Sequence, residues 1–260
     1  MLLPHNATLA LKRAYYGPRG EPFRIAGHEL RFVPGTRPTR LRYASSDNAT
    51  NRYDALQTRL LAENLRQGDC ALDVGGHVGA TAIIMAACCG PTGKVVTFEP
   101  DPAARAAMVR NFALNPHIKR PQVESAAVSD RAGVVDFFSD GGRSNSSLRR
   151  SATGSPEEAQ LLKVPVVTLD EYVADGAGPA WIKMDIEGAE IAALRGAARL
   201  LTGPTNFVVE LHPYAWPSFG DTFDELRGLV ARAGRRLRYL DQAGELAGEP
   251  VYGTAVLERV

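Results

Sequence analysis

The chain is poor in cysteine, with three in 260 residues, at Cys70, Cys88 and Cys89. Their spacing matches no metal knot, and an odd count forms no complete disulfide framework. Buried thiols in a reducing compartment are the expectation. No apolar run reaches the length of a membrane-spanning helix, so no span is expected. Charge of one sign is not in excess either. Thirty Lys and Arg face 29 Asp and Glu, a formal net charge of +1. That balance gives no footing for a nucleic acid or an anionic membrane as partner. The short basic spots at Arg149 and Arg150, and at Arg235 and Arg236, read as solvated surface. The opening "MLLPHNATLALKRAYYG" lacks a charged segment followed by an apolar one, so a cytoplasmic protein is expected.

With 45% hydrophobic residues, the chain suits one soluble domain with a large core and an extra segment. Residues 1–50 are rich in Pro, Gly, Arg and Tyr. There "PFRIAG" and "HELRFVPG" pair as a hairpin around Ala26 and Gly27, giving an N-terminal extension expected to act as a lid, an edge or a homodimer contact. In residues 51–260 the pattern becomes regular. "YDALQTRLLAENLR" repeats Leu56, Leu60, Leu61 and Leu65 at helical spacing. Strand-like "CALDVGG", "KVVTFEP", "VESAAVS", "AWIKMDI" and "NFVVELHP" alternate with helix-like "ATAIIMAACC", "PAARAAMVRNFALN", "AEIAALRGAARLL" and "TFDELRGLVARAG". "GVVDFFSD" and "VPVVTLDEY" are strands around the polar loop "GGRSNSSLRRSATGSPEE", and "RLRYLD" and "YGTAVLERV" are the final strands. This alternation predicts an α/β fold, a mostly parallel sheet with helices on both faces. The purely apolar strands fit burial on both sides.

In such sheets ligands bind at the carboxyl ends of the strands. The first end reads "DVGGHVGAT". Aligning Gly79 with the third glycine of a dinucleotide turn puts Val74 and Gly76 at the earlier glycine positions, so the pyrophosphate fingerprint is broken. The second end reads "FEPDP". Glu99 follows Gly79 by 20 residues, and a carboxylate there accepts hydrogen bonds from a ribose diol. Asp73, just before the turn, suits a cofactor carrying positive charge and opposes one carrying two phosphates. Charge therefore favours S-adenosylmethionine over a nicotinamide dinucleotide.

The segments "LDVGGHVGATA", "VVTFEPDPAARAAMVRNFALN", "AAVSD", "VPVVTLDEY", "WIKMDIEGAEIAALRGA" and "VVELHP" run in an order that resembles the FkbM-type family of S-adenosylmethionine-dependent methyltransferases. The likeness covers roughly residues 50–215, and "KMDIEGAE" followed by "LRGA" is its most specific part. The family commonly reads D-x-G-A-N-x-G at the glycine turn, and here His77 takes the Asn position. The resemblance implies a Rossmann-like class I methyltransferase, a seven-stranded, mostly parallel sheet whose last strand is antiparallel. It implies Asp73, Gly75, His77 and Gly79 around the methionine part of the cofactor and Glu99 on the ribose. Pro100 and Asp101 are implied near the adenine edge and Ala126 and Ala127 beside the ring. Family members methylate hydroxyls on secondary metabolites and sugars, which implies a small hydroxylated acceptor.

The end of the "AWIKMDI" strand then faces the transferred methyl. Lys183 and Asp185 are two apart and share a face of extended chain. Asp185, Lys183 and Glu187 are the catalytic candidates. Either Asp185 or Lys183 is a general base, with Lys183 better suited as a charged partner because nearby acids hold its proton. Alternatively Asp185, with Glu210 and His212 of the neighbouring strand end, ligates a divalent metal such as Mg2+ or Mn2+. Glu190 reads as a first-turn acid favoured by the helix dipole. Tyr214 and Trp216 either line an acceptor pocket or cover the core, and Asn145, Ser146 and Ser147 offer polar contacts from the loop. A nicotinamide-dependent oxidoreductase and a noncatalytic cofactor-binding module are the competing readings.

Overall fold

The computed structural model describes residues 5–38, 49–142, 147–148, 159–174, 178–240 and 250–260. The chain opens with α1 (His5–Tyr16) and the hairpin β1 (Glu21–Ile25) and β2 (His28–Phe32). The hairpin turns at Ala26 and Gly27, both at positive φ, as a tight two-residue loop requires. There follow α2 (Ala49–Asn64), β3 (Cys70–Val74), α3 (Ala80–Cys89), β4 (Lys94–Phe98), α4 (Pro102–Ala113), β5 (Gln122–Glu124), β6 (Ala127–Val128), β7 (Gly133–Ser139) and β8 (Gln160–Val167). The remainder is α5 (Leu169–Val173), β9 (Trp181–Met184), α6 (Glu190–Arg195), α7 (Ala198–Thr202), β10 (Asn206–Leu211), α8 (Trp216–Phe219), α9 (Phe223–Arg232), β11 (Arg235–Tyr239) and β12 (Gly253–Arg259).

Seven strands form the main sheet in the order β11-β12-β10-β9-β3-β4-β5. β3, β4, β5, β9 and β10 run parallel, and β12 enters antiparallel between β10 and β11. The two-residue alternation of strands divides the core. Leu72, Val74, Ile182, Met184, Phe207 and Val209 face α6, α7 and α9, where Leu194 and Leu226 meet them. Ala71, Val95, Trp181 and Val208 face the opposite layer, with Leu61 of α2 and Ile83 of α3. Cys88 and Cys89 are buried in that second layer and Cys70 is half-buried; all three are free thiols.

Three segments depart from the sequence reading. "VESAAVS" is not one strand: β5 pairs with β4 in the main sheet, whereas β6 pairs with β8 in a separate three-stranded sheet of order β6-β8-β7. "AEIAALRGAARLL" breaks into α6 and α7 at Gly196, whose bare α-carbon admits the carbonyl of Ser129. Arg235 is buried, and its guanidinium donates to the carbonyls of Leu201, Gly203, Thr205 and Leu257. It therefore closes strand and helix ends that would otherwise be unsatisfied. Arg236 keeps a surface ion pair with Glu258. Arg149, Arg150, Asn145 and Ser146 lie outside the described residues.

The N-terminal hairpin packs on the flank of the helical layer. Phe23, Leu30 and Phe32 join the core beside Ile83, Met108 and Phe112. Asn111 of α4 stitches it down, accepting from the Val33 amide and the Thr36 hydroxyl and donating to the Val78 carbonyl of the glycine turn. None of the described residues 5–38 lines the main cleft; through Asn111 the segment after the hairpin is tied to the glycine turn. No helix among the described residues is long and apolar enough to cross a membrane.

Candidate active site

The parallel register places Asp73 of β3 directly beside Lys183 of β9. The ammonium of Lys183 lies 3.2 Å from Asp73 Oδ1, donates to the Gly75 carbonyl at 2.7 Å, and stands 3.6 Å from Asp185 Oδ2. Burial pulls the Lys183 pKa down, but the carboxylates of Asp73 and Asp185 outweigh it, so the lysine holds its proton above the ordinary range. Asp73 also accepts from the Thr97 hydroxyl. Both charges are buried, and neither side chain lines the cleft. The pair is engaged with itself and with the glycine turn.

Gly75 stands where β3 and β9 converge. Its φ is +81°, and a Cβ there would lie 1.8 Å from the Asp185 carbonyl oxygen. Only glycine permits that approach. Gly79 caps the start of α3 and packs on Met108 and Phe112 without lining the cleft.

A cleft with about 690 Å³ of empty space, open solvent included, runs along these strand ends. Of the residues anticipated for the cofactor, Gly75, His77, Glu99, Pro100, Ala126 and Ala127 line it, joined by Phe98, Val128, Phe137 and Leu148. Glu99 is fixed by the backbone: one oxygen accepts the His77 N–H and the other the Asp101 N–H, each at 2.7 Å. Burial nevertheless pushes its carboxyl up to about 7. The His77 ring turns to the second sheet, with Nε2 2.8 Å from the Gly142 carbonyl. Asp101 caps α4 through one oxygen and accepts from the Ser139 hydroxyl and the Gly142 amide with the other.

The far end of the cleft carries Asp185 and Glu187. Behind them stands His212, 1% exposed. Its Nε2 lies 3.6 Å from Glu187 Oε2, 3.9 Å from Asp185 Oδ1 and 4.0 Å from Glu210 Oε1. Its Nδ1 meets Glu190 Oε1 at 2.9 Å. Burial alone would lower the His212 pKa, but Glu190, Glu187 and Asp185 raise it to about 10. Glu187 is pushed up to about 7, by burial first, against the pull of His212. It adopts a positive φ of 53°, accepts from the Tyr214 hydroxyl, and receives the Ser147 hydroxyl on its backbone carbonyl.

Asp185, Glu187 and His212 are the groups whose ligand atoms converge, all within 4.8 Å of one another. Glu210, anticipated in that set, stands to the side with Oε1 taken by the Tyr252 hydroxyl. Glu190 was read as a surface acid of a first helical turn. It is instead wholly buried and accepts from Gly188 N–H and Trp216 Nε1 as well as facing His212. Trp216 is accordingly core, while Tyr214 is exposed at the mouth. Ser147, named from the polar loop, does line the cleft, whereas no spacing in the sequence linked the apolar wall of Phe137 and Leu148 to it.

A parallel sheet with one antiparallel strand near its edge, a glycine turn after one central strand and an acid after the next define a class I S-adenosylmethionine-dependent methyltransferase. The chain belongs to the FkbM methyltransferase family: the methyltransferase FkbM domain matches residues 73–237. That membership displaces the nicotinamide-dependent alternative. The chain is 28% identical over 156 residues to the hexuronic acid methyltransferase AglP of Haloferax volcanii, covering 59% of this chain and 60% of that protein. Among solved structures, a putative rRNA methylase from Clostridium thermocellum aligns at 12% identity over 78% of this chain and 94% of its own, with a TM-score of 0.48. The ribosomal protein L11 methylase of Lactobacillus delbrueckii aligns at 11% identity over 89% and 86%, with a TM-score of 0.47.

Proposed function

We propose that this protein methylates a hydroxyl group of a small, sugar-like acceptor. The observation that carries the reading is the cleft's polarity. A fixed carboxylate, Glu99, stands at one end, an apolar wall in the middle, and the Asp185–Glu187–His212 cluster at the other. S-adenosylmethionine fits these residues. Glu99 would accept its ribose hydroxyls, Pro100, Ala126 and Ala127 would flank its adenine, and Gly75 and His77 would border its amino-acid part. When bound it supplies a methyl group on a positively charged sulfur.

The remaining work belongs to the chain. Carboxylates of Asp185 and Glu187 give the far end a negative potential that suits the sulfonium. Glu187, with a carboxyl near neutrality, is matched to accept the proton that an acceptor hydroxyl gives up. Tyr214 borders that end and holds Glu187 Oε2. The Haloferax volcanii relative acts on hexuronic acid, which supports a sugar-like acceptor.

The test is calorimetric titration with S-adenosylhomocysteine, followed by transfer of a labelled methyl group to a panel of hexuronic acid and neutral hexose glycosides. Binding lost in Glu99→Ala, with a methyl ether formed on a glycoside, is the expected result. Absence of binding would remove the cofactor assignment, and methylation confined to amines would remove the hydroxyl.

A further inference from the structure

We infer that Asp185, Glu187 and His212 bind one divalent transition-metal ion of the Mn2+ type at the acceptor end of the cleft. The inference deepens the function proposed above and rests on it.

Three observations combine. The first is the donor set. Two carboxylates and one imidazole, drawn from the ends of two adjacent parallel strands, converge within 4.8 Å. Oxygen with one nitrogen selects Mn2+, Fe2+ or Zn2+ over Mg2+ or Ca2+. Ligands about 2.1 Å from an ion lie about 3.0 to 3.5 Å from one another. His212 Nε2 is 3.6 Å from Glu187 Oε2 and 3.9 Å from Asp185 Oδ1, and all three ligand atoms lie within 4.8 Å of one another, so side-chain shifts of up to about an ångström close the site.

The second is the imidazole's orientation. His212 is 1% exposed, and its Nε2 points into the cluster with these oxygens beyond hydrogen-bond length. The opposite nitrogen is fixed at 2.9 Å on Glu190, which is itself buried and locked by Trp216 and the Gly188 amide. A carboxylate on one imidazole nitrogen fixes the tautomer that presents the other as a ligand. The third is charge. Asp185, Glu187, Glu190 and Glu210 surround this end, against Lys183, shared between Asp73 and Asp185, and the ring of His212, whose Nε2 proton the ion would replace. A cation balances that excess.

With one oxygen of each carboxylate on the ion, the acceptor hydroxyl takes an open coordination position through its oxygen. Its O–H bond breaks as the oxygen forms its bond to the methyl carbon. The proton passes to the free oxygen of Glu187, and the carbon–sulfur bond breaks with its electron pair on sulfur. The ion lowers the hydroxyl's pKa and orients it.

Metal-stripped full-length protein is titrated with Mn2+ and free ion is read by electron paramagnetic resonance. S-adenosylhomocysteine binding is measured calorimetrically on the same samples. One ion per chain is expected, weakened about tenfold or more in Glu187→Gln and, independently, in Asp185→Asn, and unchanged in the surface variant Glu63→Gln. Wild-type protein that binds the nucleoside but no Mn2+ at millimolar concentration overturns the metal site alone. Equal Mn2+ affinity in wild type and both variants overturns it too. Protein that binds neither ligand loses the methyltransferase pocket as well.

Discussion

His212 and Glu190 meet at 2.9 Å in a buried contact that joins the end of β10 to the start of α6. The carboxylate there has three donors, from the His212 ring, the Trp216 indole and the Gly188 amide. Glu190→Ala leaves all three without a partner and is expected to cost about 3 kcal/mol or more of unfolding free energy. Glu190→Gln keeps an acceptor and costs less. Urea unfolding followed by fluorescence separates the two, and equal stability of wild type and the alanine variant would sink the assignment.

Lys183 ties three elements together through Asp73, Gly75 and Asp185. In Lys183→Met the Asp73 carboxylate stays buried without its counter-charge, a loss of about 3 to 5 kcal/mol. The double variant Lys183→Met with Asp73→Leu removes both charges and should recover much of that loss. A double variant no more stable than the single one argues against the pair.

Glu99 sets a pH dependence. Its carboxyl stands near 7 in the folded protein, above the ordinary 4.5, because burial disfavours the charge. This group's contribution to apoprotein stability is therefore greatest below about 4.5 and declines as pH rises toward about 7. Ribose hydroxyls donate to the ionised form. Affinity for S-adenosylhomocysteine should rise with pH up to about 7, by at most about tenfold per unit, and level off above it. Calorimetry across this range in Glu99→Gln should give weaker binding without the rise; a wild type with pH-independent affinity contradicts the linkage.

Gly75→Ala tests the convergence of strand ends. The added methyl meets the Asp185 carbonyl backbone, which cannot yield without opening the sheet. Gly220 has a similar positive φ of 76° but no atom within 4 Å of an added Cβ. Gly220→Ala should cost about 1 kcal/mol, the conformational penalty alone, and Gly75→Ala clearly more, together with loss of nucleoside binding. Thermal melts of the two variants give the comparison.

What the sequence made legible is what depends on local periodicity. The parallel strands are continuous apolar runs, and the helices between them end at glycine or proline, so their order along the chain was readable, whereas the antiparallel last strand came only from the family resemblance. Glu99 and the glycine turn were readable because their chemistry sits within one short segment. Residues whose role depends on a distant partner were not. Glu190 looks like any acid opening a helix until His212 and Trp216, more than 20 residues on, close over it. Arg235 looks like half of a surface pair until four carbonyls from three segments surround it. Glu187 joins Asp185 and His212 in the converging set from a backbone position with φ of 53°, a feature that residue type does not announce.

The division of β5 from β6 also bears on how the cleft is held together. Its walls belong to two sheets whose hydrogen-bond ladders are independent, bridged in the chain by residues 125–126. Side-chain and loop contacts, not shared strand pairing, therefore hold one sheet against the other. On the cleft side these contacts are the Ser139 hydroxyl and the Gly142 amide on Asp101, the His77 ring on the Gly142 carbonyl, and the Ser147 hydroxyl on the Glu187 carbonyl. Each involves a residue at the strand ends that frame the cofactor's place. A substitution at Ser139, which does not itself line the cleft, therefore acts on both sheets at once through Asp101.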